Sequence, residues 1–322
     1  MDELWPMKYE QWLANPIRFK AMTGYTPEAF QALLSYFEQV HDHYLTTHQL
    51  NGKRRSGLRK FVLYANSPLP TIAERLAFIL SYYKLNPLQE QHADTFGLQQ
   101  QQCNLFLHGL KVILDQSLVL ADVVPAQTET ALQAKLADIL LKEPDNEASK
   151  TLLHDGTERE IPRPQDPDQQ QANYSGKKKK HTLKNAVVIN SLCLVLFVSA
   201  TVAGKIHDKK IADTYYSIPK GFTLWQDTGY QGYKPEGVLI QQPLKKPRGK
   251  ELTAQQKQDN QQISSFRVRI EHAIGSIKRY RIVKDECRLR KNRFVENIFL
   301  TCAALHNFRL RIKPFNYEIK LT

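Results

Sequence analysis

The apolar positions of residues 263–282 predict one long amphipathic helix. Ile263, Phe266, Ile270, Ala273, Ile274 and Ile277 recur at the i, i+3, i+4, i+7 spacing of a helix that packs on a core. With that stripe buried, Arg267, Glu271 and Lys278 project within about 40° of one another beside it. One carboxylate and two cations therefore share the rim of a buried face, where side chains can be held rigidly and still contact a ligand.

Helical periodicity also dominates residues 1–125, where we expect helices to begin near residues 26, 72, 87 and 98. A turn at Phe96 and Gly97 separates the last two, which is the outline of a helix-turn-helix. In that arrangement Gln99 and Gln101 begin the recognition helix, where glutamine can pair with adenine edges in the major groove. The alternative is a solvated first turn in a small helical bundle.

From residue 149 the pattern changes to short strands. We predict strands at 150–154, two within 186–204, 222–226 and 238–241, with helices at 207–216 and 291–312. The fold class is therefore α/β, with a mixed sheet flanked by helices, after an all-α N-terminal region. The predicted domains are 1–125, a linker at 126–148 that contains a short helix at 130–142, 149–312, and a tail at 313–322.

The uncharged segment 186–204 is nearly long enough to span a bilayer. Its Val, Ile and Thr content and the polar Asn190-Ser191 pair favour two strands of a sheet instead. We therefore expect no membrane association.

The charge of the chain is unevenly distributed. The net charge is +13, but residues 1–150 carry 14 Lys and Arg against 16 Asp and Glu, whereas the remainder carries 31 against 16. A strongly basic second half indicates a phosphate-rich partner such as nucleic acid. The four cysteines show no zinc-ligand or disulfide spacing, and no secretory signal opens the chain, so we expect a reduced, cytoplasmic location.

Three acids are candidates for a metal site. Asp155 and Asp227 each follow a predicted strand and precede a glycine by one or two residues, which places them where a sheet edge opens. Glu271 comes from the helix that must pack on that sheet. Three neighbouring carboxylates repel one another unless cations lie between them, and two Mg²⁺ (or Mn²⁺) ions would satisfy them. The alternatives are turn formation by the aspartates and an i, i+4 pair of Glu271 with Arg267.

Four segments resemble bacterial insertion-sequence transposases of the DDE superfamily: HDGTEREIPRP from residue 154, NYSGKKKKHTLKN from 173, QDTGYQGY from 226 and SSFRVRIEHAIGSIKRYRI from 264. The resemblance implies an RNase H-like catalytic domain with Asp155, Asp227 and Glu271 as the metal-binding triad. It also implies that Arg267 and Lys278 lie at phosphates that flank the scissile bond.

The implied activity is metal-dependent hydrolysis at the ends of a mobile element, followed by attack of the freed 3′-hydroxyl on target DNA. The partners would be double-stranded DNA, in the form of terminal inverted repeats and target, and a second copy of the chain. Candidate DNA contacts are the basic residues Lys177, Lys178, Lys179, Lys180, Lys184, Lys245, Lys246 and Arg248. For the run 177–180, a solvated hairpin tip is the alternative.

Two other functions fit the same sequence. One is an RNase H-like nuclease that acts outside transposition, and the other is a catalytically silent relative that only binds DNA. His154 and His207 neighbour the candidate site, and we interpret both as structural residues.

Overall fold

The computed structural model describes residues 9–56, 61–247, 249, 251–289 and 294–317. The chain divides into two compact units. We call Met1–Val124 with Arg279–Asp285 the helical unit, and Pro125–Lys278 with Glu286–Thr322 the α/β unit. The predicted domain boundaries remain predictions.

The predicted helices and strands occur in their predicted order, among further elements that were not predicted. The helices are α1 Tyr9–Leu13, α2 Pro16–Thr23, α3 Pro27–Thr47, α4 Ile72–Leu85, α5 Gln89–Phe96, α6 Gln100–Leu120, α7 Glu129–Lys142, α8 Glu147–Lys150, α9 Pro167–Asn173, α10 Asp208–Tyr215, α11 Ala254–Ile277, α12 Arg281–Lys284 and α13 Phe294–Ile312. The strands are β1 Thr151–Glu160, β2 Tyr174–Ser175, β3 Lys180–Asn190, β4 Val195–Val198, β5 Val202–Ala203, β6 Thr223–Trp225 and β7 Leu239–Gln241.

Local sequence signals define the helices of the helical unit. Thr26 caps α3, and Thr71 and Glu74 form a reciprocal capping box at the start of α4. Gly97 ends α5 in the left-handed conformation, and Gln99 caps α6. The predicted helical N-terminal region is confirmed. Gln101 is exposed in the first turn of α6, and its contact with DNA remains a prediction.

Of the described helices, α6 alone is long and apolar enough to cross a membrane, and half of the relevant window is buried inside the structure. Its buried side chains, which include Leu107, Leu110 and Leu114, pack in the helical unit against α3 and α4. A core helix accounts for this composition. The other apolar segment, 186–204, was predicted to form two strands, and it contains the second half of β3, all of β4 and a third strand, β5.

The sheet of the α/β unit is mixed. Its strand order is β2-β3-β1-β6-β7, and β4 and β5 also pair with β3. Strand β3 is antiparallel to β1 and β4, and β6 is parallel to both β1 and β7. One face is covered by α7 and α10, whose Leu132, Leu136 and Ile211 join the core that contains Leu152 and Leu224. The other face meets α11 and α13. The predicted mixed sheet flanked by helices is confirmed.

Three predicted elements have wrong bounds, and one of them is β3, which begins at Lys180 and not within 186–204. The first strand continues from Thr151 to Glu160, well past residue 154, because β3 pairs with it as far as Glu160 opposite Thr182. Its second half, DGTERE, lacks apolar alternation, so its extension depends on the partner strand. The long helix begins at Ala254, because Thr253 and Gln256 form a capping box ahead of its apolar stripe. It ends at Ile277.

Candidate active site

The sheet register brings Asp155 and Asp227 to the same level. Strands β1 and β6 are parallel neighbours with Leu153 opposite Trp225, and each aspartate lies two residues beyond its member of that pair. Asp155 was expected just after its strand, which is wrong: it lies within β1, while Asp227 follows β6 and caps a short 3-10 helix, Thr228–Tyr230. Because successive strand residues alternate between faces, Asp155 shares the face of Leu153.

A hydrogen bond between His154 and Gln226, the residues that directly precede the two aspartates, fixes this alignment. The buried His154 ring bonds through Nε2 to Gln226 Oε1 at 3.1 Å and through Nδ1 to the Tyr216 hydroxyl at 2.7 Å. Burial lowers the pKa of His154 to about 3, so the ring is neutral. An amide oxygen only accepts, so Nε2 carries the proton and the Tyr216 hydroxyl donates to Nδ1. The ring also stacks on Tyr230, with centroids 3.8 Å apart. A structural role for His154 follows.

Each aspartate uses one oxygen in a local turn. Gly156 N–H donates to Asp155 Oδ1 and Gly229 N–H donates to Asp227 Oδ1, both at 2.7 Å. Among the described residues, no cation forms an ion pair with either carboxylate. Two adjacent carboxylates with free oxygen lone pairs are a donor set of the kind that Mg²⁺ and Mn²⁺ prefer.

The electrostatics of Asp155 reflect this proximity. Burial and the charge of Asp227 raise the pKa of Asp155 to about 6, against the opposing effects of the Gly156 N–H and the Arg267 charge. A carboxyl group with such a pKa is destabilised as an anion, and a bound cation would relieve that.

Helix α11 passes along the same face of the sheet. The Phe266 ring packs on Trp225 with centroids 4.3 Å apart, and Lys278 Nζ donates to the Glu158 carbonyl at 3.0 Å. Glu271 lies between these two contacts, one turn after Arg267, and is exposed. Within the described ranges, no three His, Cys, Asp or Glu side chains are grouped closely enough to hold a metal ion. The structure therefore places Asp155 and Asp227 together. Glu271 lies on α11, along the same face of the sheet, but is not grouped with them.

A fourth acid, Asp208, was missed by sequence reasoning. It is the first residue of α10, and its carboxylate lies over Gly156 and near Gly229, the two glycines of the aspartate turns. Lys184 Nζ pairs with it at 3.1 Å. The only sequence signal is its position at a helix start after the strand pair, which many structural aspartates share.

Gly156 has no room for a side chain. An added Cβ would overlap Asp208 Oδ1, so Gly156→Ala is expected to displace α10 or β1 and to destabilise the α/β unit by about 1–3 kcal/mol. Thermal unfolding measures the loss. The double variant Gly156→Ala/Asp208→Ala should recover part of it, and a single variant as stable as the wild type would contradict this close packing.

The basic candidates occupy different environments. Lys184 is buried between Glu158 and Asp208, and Lys180 pairs with Glu160 at 2.7 Å, so both have structural partners. Lys177, Lys178 and Lys179 are exposed in the turn before β3. Burial, and then the nearby charge of Lys178, lowers the pKa of Lys278, so the turn approaches the end of α11.

The remaining basic candidates precede α11. Lys245 is exposed and Lys246 pairs with Glu251, whereas Arg248 lies outside the described residues.

Comparison with known proteins defines the class. Residues 154–307 match the family model described as DDE superfamily endonuclease. The chain is also similar to a probable transposase for insertion sequence element IS702 of Microchaete diplosiphon, with 32% identity over 175 residues. The aligned region covers 54% of this chain and 62% of that protein, which is less than two thirds of its length. No solved structure matches. The resemblance to insertion-sequence transposases of the DDE superfamily is confirmed.

Proposed function

We propose that this protein is a metal-dependent DNA transposase that cuts the ends of an insertion sequence and joins them to target DNA. The observation that carries the proposal is that Asp155 and Asp227 each lie two residues beyond the paired Leu153 and Trp225, within a segment that matches the DDE superfamily endonuclease model. Parallel strands with acids at one edge are a common place for a catalytic centre in an α/β fold.

Asp155 and Asp227 would hold the divalent cations, and Glu271 would join them from α11. The donor set supports this assignment, because both aspartates offer carboxylate oxygens without a competing ion pair in the described part of the chain. When bound, Mg²⁺ or Mn²⁺ in a two-ion site activates a water and stabilises the leaving oxygen of a phosphodiester.

Cationic side chains would favour metal binding by Asp155 and would contact the phosphates of the DNA. Arg267 lowers the pKa of Asp155, against burial, and so favours the anion that binds metal. Lys278, held by the Glu158 carbonyl, would contact a phosphate beside the scissile bond, where positive charge offsets the charge that develops in the transition state. The exposed Lys177, Lys178 and Lys179 would extend that contact along the DNA backbone.

The decisive experiment uses a supercoiled plasmid that carries the DNA flanking both sides of the coding region. With purified protein and Mg²⁺ or Mn²⁺, we expect cuts at the element ends that expose 3′-hydroxyls, and joined products with a second plasmid. A plasmid without the flanking DNA is the matched control. The double-stranded ends and a second copy of this chain are the partners that we infer for the reaction, which would take place in the cytoplasm.

Three outcomes separate this function from its alternatives. Cutting without joining would favour an RNase H-like nuclease outside transposition. Binding without cutting would favour a silent DNA-binding relative. Cutting that persists in EDTA would contradict the metal assignment.

A further inference from the structure

An open groove of about 580 Å³ lies between α9 and the β2–β3 hairpin. We call it the hairpin groove. The lining residues that matter for its chemistry are Gln171, Tyr174, Gly176, His181 and Lys205. Its volume is in the range of small-molecule sites, although the groove is outside the candidate active site.

An aromatic surface forms part of this groove. The Tyr174 side chain is 44% exposed, and its ring contacts His181 edge-on with centroids 5.7 Å apart. Both residues belong to paired strands, with Tyr174 opposite His181 in the register. A ring held by a sheet costs little entropy to order, so it suits stacking against a planar ligand.

Polar groups complete the groove. Lys205 is exposed and forms no ion pair among the described residues, and none of the residues that line the groove is acidic. Gln171 is also exposed, and its amide can pair with the edge of a base. The neighbouring Gln170 is held in place by Arg163, whose Nη2 donates to Gln170 Oε1 at 2.8 Å.

The groove continues the cationic surface of the candidate active site. Lys177, Lys178 and Lys179 lie in the turn between Tyr174 and His181, and the main chain of His181 accepts a hydrogen bond from Ile161 N–H at 3.0 Å. Ile161 directly follows β1 and is six residues beyond Asp155, which corresponds to about 20 Å at about 3.3 Å per residue.

We propose that the hairpin groove binds an unpaired base of single-stranded DNA about 20 Å from the aspartate pair. The base stacks on Tyr174 and its phosphate contacts Lys205. Bases within a duplex are already stacked on one another, so an isolated aromatic ring in a groove selects a base that is unpaired or extruded. The inference rests on the proposed DNA-cutting function, since it assumes that DNA follows the lysine turn.

Fluorescence anisotropy with the full-length protein tests the inference. The probes are a labelled 20-nucleotide oligo-dT and a labelled 20-base-pair duplex, at fixed salt. One base–aromatic stack is worth about 1–3 kcal/mol, so Tyr174→Ala should weaken oligo-dT binding about tenfold and change duplex binding less than about twofold. Tyr174→Phe keeps the ring and should bind oligo-dT like the wild type.

A second variant adds a negative charge to the groove. An added Cβ at Gly176 meets nothing within 4 Å, so Gly176→Glu should fold normally, and its carboxylate should repel the phosphate and weaken oligo-dT binding. Leu192→Ala, at an exposed apolar position of the same unit, is the matched control and should change neither probe.

The outcomes distinguish this inference from the proposed function. If the wild type binds and cuts duplex DNA but Tyr174→Ala and Gly176→Glu bind oligo-dT normally, the groove assignment is overturned and the transposase proposal stands. If the wild type binds neither probe, the transposase proposal itself fails.

Discussion

Asp155→Asn and Asp227→Asn are each expected to abolish DNA cutting, with a loss of about 10³-fold or more. Metal ions that act as Lewis acids contribute several kcal/mol to the transition state, and each 1.36 kcal/mol is a tenfold change in rate. An amide keeps the shape of the carboxyl group but lacks its charge, so it holds a divalent cation poorly. The plasmid-cutting assay with Mg²⁺ measures the loss.

Asp155→Asn should lose DNA cutting but should make the folded protein more stable at neutral pH. The pKa of Asp155 is raised to about 6, so the folded state binds more protons than the unfolded state between about pH 4 and pH 6. Stability therefore falls as the pH rises through that window, because the buried carboxylate must ionise near Asp227. At pH 7 in EDTA, Asp155→Asn should raise the melting temperature by a few degrees, about 2–4 °C per kcal/mol, and the gain should disappear below about pH 4.

In the presence of divalent metal, the wild type should instead be more stable than Asp155→Asn. Mg²⁺ or Mn²⁺ that binds the folded state stabilises the wild type and should raise its melting temperature, with little effect on Asp155→Asn. Asp213→Asn, at an exposed residue of α10 paired with Lys209, is the matched control and should change neither cutting nor the response to metal. Full cutting by either active-site variant would contradict the role of the aspartate pair.

Glu271→Gln is expected to reduce cutting by about 10²-fold and to raise the concentration of Mg²⁺ that half-maximal activity requires. The expectation follows from the position of Glu271 on α11, one turn beyond Arg267 and between the contacts of Phe266 and Lys278 with the sheet. An acid added to the aspartate pair would complete the metal site, and losing one oxygen ligand weakens binding without removing the site.

The fold should be insensitive to that change. Glu271 is exposed and has no ion pair in the described ranges, so its substitution should change the free energy of unfolding by less than about 0.5 kcal/mol. Asp259→Asn on the same helix, at a residue that only accepts a hydrogen bond from Gln255, is the matched control. Unchanged activity and metal dependence in Glu271→Gln would exclude Glu271 from the site.

Much of the fold was predictable because local signals are strong where a chain alternates or repeats. The polar Asn190-Ser191 pair within an apolar run predicted a strand break, and β3 does end at Asn190. Thr26 followed by Pro27 predicted the start of α3. The polar half of β1 and the Gln-rich first half of α11 were missed. Neither carries apolar periodicity, and they depend on β3 and on a capping box respectively.

The candidate site, like the fold, was only partly predictable from the sequence. Sequence alone selected Asp155, Asp227 and Glu271 as chemical candidates, from two aspartates after apolar runs and a glutamate at a helix rim, although Asp155 lies within its strand. It could not select Asp208, whose carboxylate comes over Gly156 only when α10 packs on β1. Nor could it separate the lysines, because the burial of Lys184 between two acids results from the pairing of β1 with β3.

The sequence by itself determined which residues could do the chemistry, the order of the elements, and the basic character of the second half. Only the tertiary structure decided that Asp155 and Asp227 lie at one level, that His154 and Gln226 hold them there, and which lysines remain exposed. The physical reason is that these features depend on parallel pairing between strands about 70 residues apart in the chain. The spacing of apolar residues indicates which face of one helix or strand is buried. The register between two strands depends on the residues of both strands.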